Sequence, residues 1–188
     1  MRFIATEMAG LFVIEPRVWD DRRGFFFESY NQAAFRGAGI AVEFVQDNHS
    51  RSCPGTIRGM HFQVPPCAQD KLVRVILGSV LDVVVDIRRG SPTYGKWAGF
   101  ELSETNRRML FVPKGFAHGF CVLGDQYAEM LYKCTDFYAP KLAFGIRWND
   151  PDLGIKWPVK DAVLSDQDAK YPSLADLPTY FTYEPGQA

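Results

Sequence analysis

The sequence is poor in histidine, in organised cysteine and in net charge. Only three of its 188 residues are histidines, so each one stands out. The four cysteines (Cys53, Cys67, Cys121, Cys134) are widely spaced and form no C-x-x-C pair. That spacing is poor for zinc and too sparse for a disulfide scaffold, so they read as mostly buried free thiols. A formal charge of −1 gives bulk electrostatics no reason to bind nucleic acid, although a local basic cluster can still hold a small anion such as a phosphate ester. No segment reaches roughly 18 apolar residues in a row, and MRFIATEMAGLFVIEP lacks the long apolar run of a signal peptide. The expectation is a soluble cytoplasmic protein with no membrane or nucleic-acid partner. There is also no βαβ alternation and no glycine-rich dinucleotide loop.

What is present is a globular chain. Apolar residues make up 47% and aromatics 14%, which excludes a disordered chain. The length suits one domain, residues 1–188, with a real core. The dominant rhythm has period two. KLVRVILGSVLDVVVDIRR reads as two strands joined at Gly78-Ser79, a two-residue hairpin signal. KWAGFELSE, RMLFVPKG, GFCVLG and AEMLYKCTDFY continue the series, with turns at SPTYG, PKG and GDQ. Strands so short and frequent predict an antiparallel sandwich or barrel. Two helical pieces interrupt it: NQAAFRGAG, from Asn31 to Gly39, and SDQDAKYP, started by Ser165 and stopped by Pro172. WNDPDLGIKWP is turn-rich, and its tryptophans predict a loop packed on the body. The tail TYFTYEPGQA is expected to fray at its end.

Pro113-Lys114-Gly115-Phe116-Ala117-His118 is a P-x-G-x-x-H turn between strands. It resembles the second motif of the cupin jelly-roll barrels, where the histidine points into the barrel. The first cupin motif normally supplies H-x-H and a later glutamate. Here the matching place reads His61-Phe62-Gln63, and the next glutamate, Glu101, is far along the chain. Two histidines without a convincing carboxylate are fewer ligands than catalytic metal sites use, so no metal is expected. His61 is then a base or a core residue. On a strand it shares a face with Gln63, while Met60 and Phe62 take the other. Arg58 and Lys71 nearby are poor company for a dry core. In AEMLYKC, parity puts Tyr132 inward with Ala128, Met130 and Cys134, either as a buried tyrosine bonded to backbone or as a proton donor. Asp82 and Asp86 lie on the face opposite Leu81, Val83 and Val85; Asp82 either orients His118 or is solvated. Ser165-x-x-Asp168 resembles a capping box.

Taken in order, DRRGFFFESY, QDNHSRS, GTIRGMHFQ, KLVRVILGSVLDVVVDIRRGSPTYGKW, FVPKGFAHGFCVL, LYKCTDFYAP, GIRWNDP, IKWP and LSDQD resemble the dTDP-4-dehydrorhamnose 3,5-epimerases, from Gly10 to Leu174. The resemblance implies an all-β, cupin-type jelly-roll barrel with a few short peripheral helices, no metal and no cofactor, usually a homodimer with shared active sites. It implies a nucleotide-linked 4-keto-6-deoxyhexose, with dTDP as the expected nucleotide. It also implies roles. His61 is the base, Asp168 the carboxylate that orients it, Tyr132 the acid on the opposite face of the sugar, and Lys71 the cation at the enolate oxygen. His118 and Asp82 line the pocket as a second pair. Arg58, and Arg23 from the partner subunit, hold the diphosphate. Trp19 and Tyr138 sandwich the base, Gln46 and Asn48 complete that wall, and Phe26 and Glu28 of the Arg23 segment join the substrate contacts. The family commonly carries a glutamate and a basic residue where this chain has Ala143 and Phe144, a departure expected to alter base or sugar selectivity.

Three other readings compete. A metal-dependent cupin oxygenase or isomerase lacks its H-x-H here. A non-catalytic sugar-binding cupin has no need of an inward tyrosine opposite a histidine–carboxylate pair. A mono-epimerase acting only at C3 or only at C5 uses the same base and acid.

Overall fold

The computed structural model describes residues 1–185. The far end of the tail expected to fray, residues 186–188, lies outside the described residues. In chain order the strands are β1 (Arg2–Ala5), β2 (Phe12–Glu15), β3 (Trp19–Asp21), β4 (Gly24–Phe26), β5 (Gln46–Ser52), β6 (Ile57–Gln63), β7 (Lys71–Leu77), β8 (Ser79–Asp86), β9 (Arg88–Arg89), β10 (Trp97–Ser103), β11 (Met109–Val112), β12 (Phe116–Val122), β13 (Ala128–Cys134), β14 (Ala143–Gly145) and β15 (Phe181–Thr182). One short helix, α1 (Gln32–Gly37), follows β4.

Two antiparallel sheets face each other. One runs β1-β2-β11-β7-β13-β5, the other β10-β8-β12-β6-β14. The core between them comes from both walls: Val73, Val75, Leu110 and Met130 meet Val80, Val84, Leu102 and Phe120. Each sheet also buries its outer face. Met60, Phe62, Val83, Val85 and Ala117 pack under the later segment carrying Ile146, Leu153 and Leu174. Ile14, Leu72, Met109 and Phe111 pack under α1 and the residues after it. A strand buried on both sides has no reason to alternate, which accounts for the near-continuous apolar run in β8.

The hairpin expected at Gly78-Ser79 does not form. β7 pairs with β11 and β13, whereas β8 pairs with β10 and β12. Gly78, at φ +72°, is a corner where the chain passes from one sheet to the other. The glycine signalled a turn correctly, but local sequence does not say which neighbour the next strand will choose.

The first helical expectation holds. The Asn31 side chain caps α1 by accepting from the Ala34 N–H at 3.2 Å. A helix of six residues has little stability alone; this one is held by Phe35, 1% exposed, packed edge-on against Phe3 and Tyr30 with ring centroids 5.0 Å from each. The second, SDQDAKYP, makes only a 3-10 turn at Asp168–Lys170. Pro172 stops it before a second turn can form, and the Asp168 carboxylate is engaged elsewhere. The WNDPDLGIKWP loop does pack on the body: the Trp157 Nε1–H donates to the Trp148 carbonyl at 2.7 Å, and buried Asp150 accepts from the Leu174 N–H at 2.8 Å. All four cysteines are free, Cys121 and Cys134 buried, Cys53 and Cys67 half-buried. No helix among the described residues is long and apolar enough to cross a membrane.

β6 and β12 approach unusually closely. A β-carbon placed on Gly119 would lie 2.8 Å from the Gly59 Cα, and one on Gly59 2.6 Å from the Gly119 Cα. The pairing register shifts at this point, between His118 and Phe120.

Candidate active site

β6 carries His61 into the barrel with Gln63 on the same face, as parity requires, while Met60 and Phe62 enter the outer core. The His61 Nε2–H donates to Asp168 Oδ1 at 2.6 Å. That leaves Nδ1 as the nitrogen able to take a proton. The carboxylate sits behind the ring: the Asp168 side chain is 6% exposed and that of His61 39%. The backbone N–H of Asp168 donates to Ser165 Oγ at 3.1 Å, so half of the capping box forms. The other half is forgone, because the carboxylate has turned to the imidazole.

A cavity of about 450 Å³ opens in front of His61, lined by Gln46, Asn48, Gln63, Gln69, Lys71, Tyr132, Cys134, Tyr138, Gln167 and Tyr171 among others. It continues past His61, Lys71 and Tyr132 into a recess of about 150 Å³ bounded by Ser50, Arg58 and His118. His61 comes from one sheet, Lys71 and Tyr132 from the other. Lys71 stands directly across from Cys134, two residues along β13 from Tyr132. Burial lowers the Lys71 pKa below its ordinary 10.5, with Cys134 and Asp82 opposing the fall. Burial raises the Tyr132 hydroxyl above its usual 10, Cys134 adds to the rise, and Arg58 opposes it. At neutral pH the tyrosine therefore keeps its proton and can donate it.

Asp82 is not solvated. It is 0% exposed and accepts from the His118 Nε2–H at 2.9 and 3.0 Å. Asp86 is equally buried and holds Arg88, Ser91 and Thr93 instead. Arg58 reaches the recess while its Nε–H donates to Ser52 Oγ at 2.9 Å. Gln46 Oε1 accepts the Tyr138 N–H at 3.0 Å, and the Gln46 Nε2–H donates to Asn48 Oδ1 at 3.0 Å.

Trp19, Phe26 and Glu28 do not reach this cavity within one chain, and neither does Arg23, which is expected from the partner subunit. Arg23, Trp19 and Phe26 belong to the β3–β4 hairpin, which hydrogen-bonds to neither large sheet, and Glu28 follows it. Arg23 is exposed and ion-paired to Asp21 at 2.6 Å. Trp19 lies against Phe26, ring centroids 6.0 Å apart, rather than against Tyr138. Glu28 Oε1 accepts from Asn31 Nδ2 at 3.1 Å. The hairpin pairs only with itself and meets the body away from the cavity, through Arg107, which ion-pairs with Asp20 at 3.7 Å and lies over the Phe25 ring at 4.1 Å.

Ala143 and Phe144 both border the cavity, in different ways. β14 pairs with β6 so that Ala143 faces Gln63 and Gly145 faces His61. Ala143 shares the face of those two residues, whereas the Phe144 ring edges the cavity while packing on Phe62 and Tyr180. Sequence reasoning missed Tyr171, Gln167, Gln69 and Ser50. Ser50 was readable, since period two puts it on the face of Gln46 and Asn48. Tyr171 was not: its ring lies over Gly145, where a β-carbon would come within 2.5 Å of it, and sits edge-on to His61 at 5.8 Å.

Among the described residues no group of three or more His, Cys, Asp or Glu side chains is placed to hold a metal ion, and the Gln63 amide, at the place of a cupin ligand, is used up by backbone partners.

An imidazole–carboxylate pair on one wall facing a protonated phenol and an amine on the other is an arrangement suited to proton transfer, the chemistry of an isomerase. The comparisons agree. The family model described as dTDP-4-dehydrorhamnose 3,5-epimerase matches residues 5–176. The dTDP-4-dehydrorhamnose 3,5-epimerase of Pseudomonas aeruginosa is 56% identical over 92% of this chain and 96% of its own. The crystal structure of the Legionella pneumophila dTDP-6-deoxy-D-glucose-3,5-epimerase in complex with dTDP-4-keto-L-rhamnose superposes with a TM-score of 0.92 at 45% identity, covering 97% of this chain and 98% of that one. A 3'-monoepimerase from Streptomyces bikiniensis in complex with dTDP-quinovose is more distant, at TM-score 0.84 and 34% identity over 90% of this chain and 86% of its own. The chain belongs to the dTDP-4-dehydrorhamnose 3,5-epimerase family.

Proposed function

We propose that residues 1–188 form one catalytic domain that epimerises a dTDP-linked 4-keto-6-deoxyhexose at C3 and at C5, turning dTDP-4-dehydro-6-deoxy-D-glucose into dTDP-4-dehydro-L-rhamnose. The observation that carries this reading is the placement of His61–Asp168 and Tyr132 on opposite walls of one cavity. Protons on carbons next to the C4 ketone are acidified because the charge left behind spreads onto oxygen. His61 removes one, and Asp168 holds the tautomer and supports the imidazolium. Lys71 places positive charge where the enolate oxygen develops. Inversion needs a proton from the other face, and Tyr132 supplies it. Arg58 holds the diphosphate, His118–Asp82 lines the sugar end, and Gln46, Asn48 and Tyr138 hold the base, so that the sugar is rigid between acid and base.

The working unit in this reading is a homodimer. The β3–β4 hairpin leaves Trp19, Phe25 and Phe26 45%, 56% and 67% exposed, an aromatic surface suited to a second copy. It would carry Arg23, Trp19, Phe26 and Glu28 to the neighbour's cavity. Four free thiols fit a reducing cytoplasm.

Incubation with dTDP-4-dehydro-6-deoxy-D-glucose in heavy water, followed by NMR, tests the activity. Deuterium is expected at both C3 and C5 with an L-configured product. Exchange at one carbon alone establishes a mono-epimerase, and exchange at neither overturns the assignment.

A further inference from the structure

Gln63 stands where a metal-holding cupin barrel carries a ligand, and its whole amide is spent on something else. The side chain is 5% exposed. Its Nε2 donates to the Cys67 carbonyl at 2.8 Å and to the Phe137 carbonyl at 3.1 Å, and its Oε1 accepts the Ala139 N–H at 2.7 Å. The last two bonds bracket Tyr138. That loop has little apolar burial to hold it, since Phe137 and Tyr138 are 64% and 61% exposed. Its position rests on polar bonds, from Gln63 on both sides and from Gln46 at the Tyr138 N–H. The Cys67 bond ties in the segment leading to Lys71, and the Gln69 Nε2–H donates to the Asp136 carbonyl at 2.7 Å between the same two loops.

We infer that Gln63 is a positioning residue that sets Tyr138 as a wall for the nucleoside diphosphate, and so governs nucleotide affinity separately from proton transfer. This rests on the reading of Tyr138 as a nucleotide contact. The chemistry demands an amide: two carbonyls need donors and one N–H needs an acceptor. A glutamate of the same shape sets a carboxylate against the Cys67 and Phe137 carbonyl oxygens, and that repulsion pushes it off the loop, loosening the Ala139 bond as well. A leucine leaves all three backbone groups without a partner in a buried place.

The test uses full-length Gln63→Glu and Gln63→Leu beside Tyr138→Ala and the double variant Gln63→Glu/Tyr138→Ala. Three quantities are read: hydrogen exchange of the Ala139 amide by NMR, calorimetric affinity for dTDP, and solvent-deuterium incorporation into saturating substrate. Gln63→Glu keeps the side-chain volume and carries the test if Gln63→Leu fails to fold. In Gln63→Glu, Ala139 exchange should quicken and the Kd for dTDP should rise about tenfold, as expected from losing one or two buried hydrogen bonds. KM should follow, while the deuterium incorporation rate stays within about threefold. Tyr138→Ala should weaken dTDP similarly in the wild type and add little to Gln63→Glu, because both remove one wall. Unchanged Ala139 exchange in Gln63→Glu overturns the inference. So does a fall in incorporation rate with unchanged dTDP affinity. If Tyr138→Ala alone leaves dTDP binding intact, the Tyr138 assignment itself is wrong and the inference goes with it.

Discussion

His61 and His118 are direct cross-strand partners, yet each gives its Nε2–H to a carboxylate from a different part of the chain, Asp168 for one and Asp82 for the other. They differ in access. The His61 side chain is 39% exposed toward the cavity and that of His118 only 9%. The greater access supports His61 as the proposed base. His61→Asn should stop deuterium entering the sugar at all. Tyr132→Phe keeps the ring and deletes the hydroxyl, so deuterium should still wash in while epimer formation falls about 10²- to 10⁴-fold. Normal epimer formation by Tyr132→Phe would mean that the acid lies elsewhere.

In the proposed mechanism Lys71 must stay charged to meet the enolate oxygen. Burial lowers its pKa below 10.5, so the charge is lost as pH rises through that lowered value, and the alkaline limb of kcat should begin below pH 10.5. Asp82 opposes the fall, so Asp82→Asn should move the limb to lower pH. Lys71→Arg stays charged at every accessible pH and should push the limb up to that of Tyr132. Profiles of kcat against pH for the three proteins decide it; an unmoved limb in both variants excludes Lys71 as the titrating group.

Asp86 and Arg88 supply a stability test away from the chemistry. Burial pushes the Asp86 carboxyl up. The Arg88 guanidinium, the Ser91 and Thr93 hydroxyls and the Arg88 N–H more than offset this, so its pKa lies below the ordinary 3.8. A depressed folded pKa contributes stability that is present above pH 3.8 and lost as pH falls through the folded value. Arg88→Ala leaves a buried carboxylate short of its cation and should cost about 3–5 kcal/mol in urea unfolding at pH 7. The deficit should shrink at pH 4, where protonation relieves the stranded charge. Equal deficits at both pH values would show the loss to be one of packing.

Ala143 and Phe144 should part company under substitution. Ala143→Glu puts a carboxylate on the cavity face and should change the ranking of dTDP, UDP, CDP and GDP in competition binding. Phe144→Ala, which removes a ring at the cavity edge but no charge, should change that ranking less and lower stability by about 2 kcal/mol, the value of a largely buried aromatic. A ranking that follows position 144 instead would reverse the assignment.

If the β3–β4 hairpin completes the neighbour's site, inactive Arg23→Ala and inactive His61→Ala chains should regain activity when mixed, since half of the sites in a hybrid dimer are whole. Demonstrated hybrids with no recovery would mean that each chain builds its site alone.

Much of the barrel was legible because period two is a local property. It placed His61 with Gln63, Tyr132 with Cys134, and Met60 with Phe62 on faces that the fold keeps. The corner at Gly78 was not legible: β8 is buried on both sides, and its pattern carries no mark of which sheet claims it. Asp168 reached His61 from 107 residues away, so its local signature was that of a helix cap, and the backbone half of that signature survives. Tyr171 became a neighbour of His61 only through the bare backbone of Gly145, a contact with no trace in either segment.

The close approach of Gly59 and Gly119 has a consequence for how this chain can vary by descent. Neither glycine has a side chain to offer the chemistry, yet any side chain at either one would meet the facing backbone, wedge β6 from β12 and shift His61 relative to His118. Mutational drift is shut out at two silent-looking sites, and the spacing of the two imidazoles is insured against it. A library randomised at both positions and selected for catalysis should return the glycine pair, because each added β-carbon meets backbone rather than a side chain that could yield.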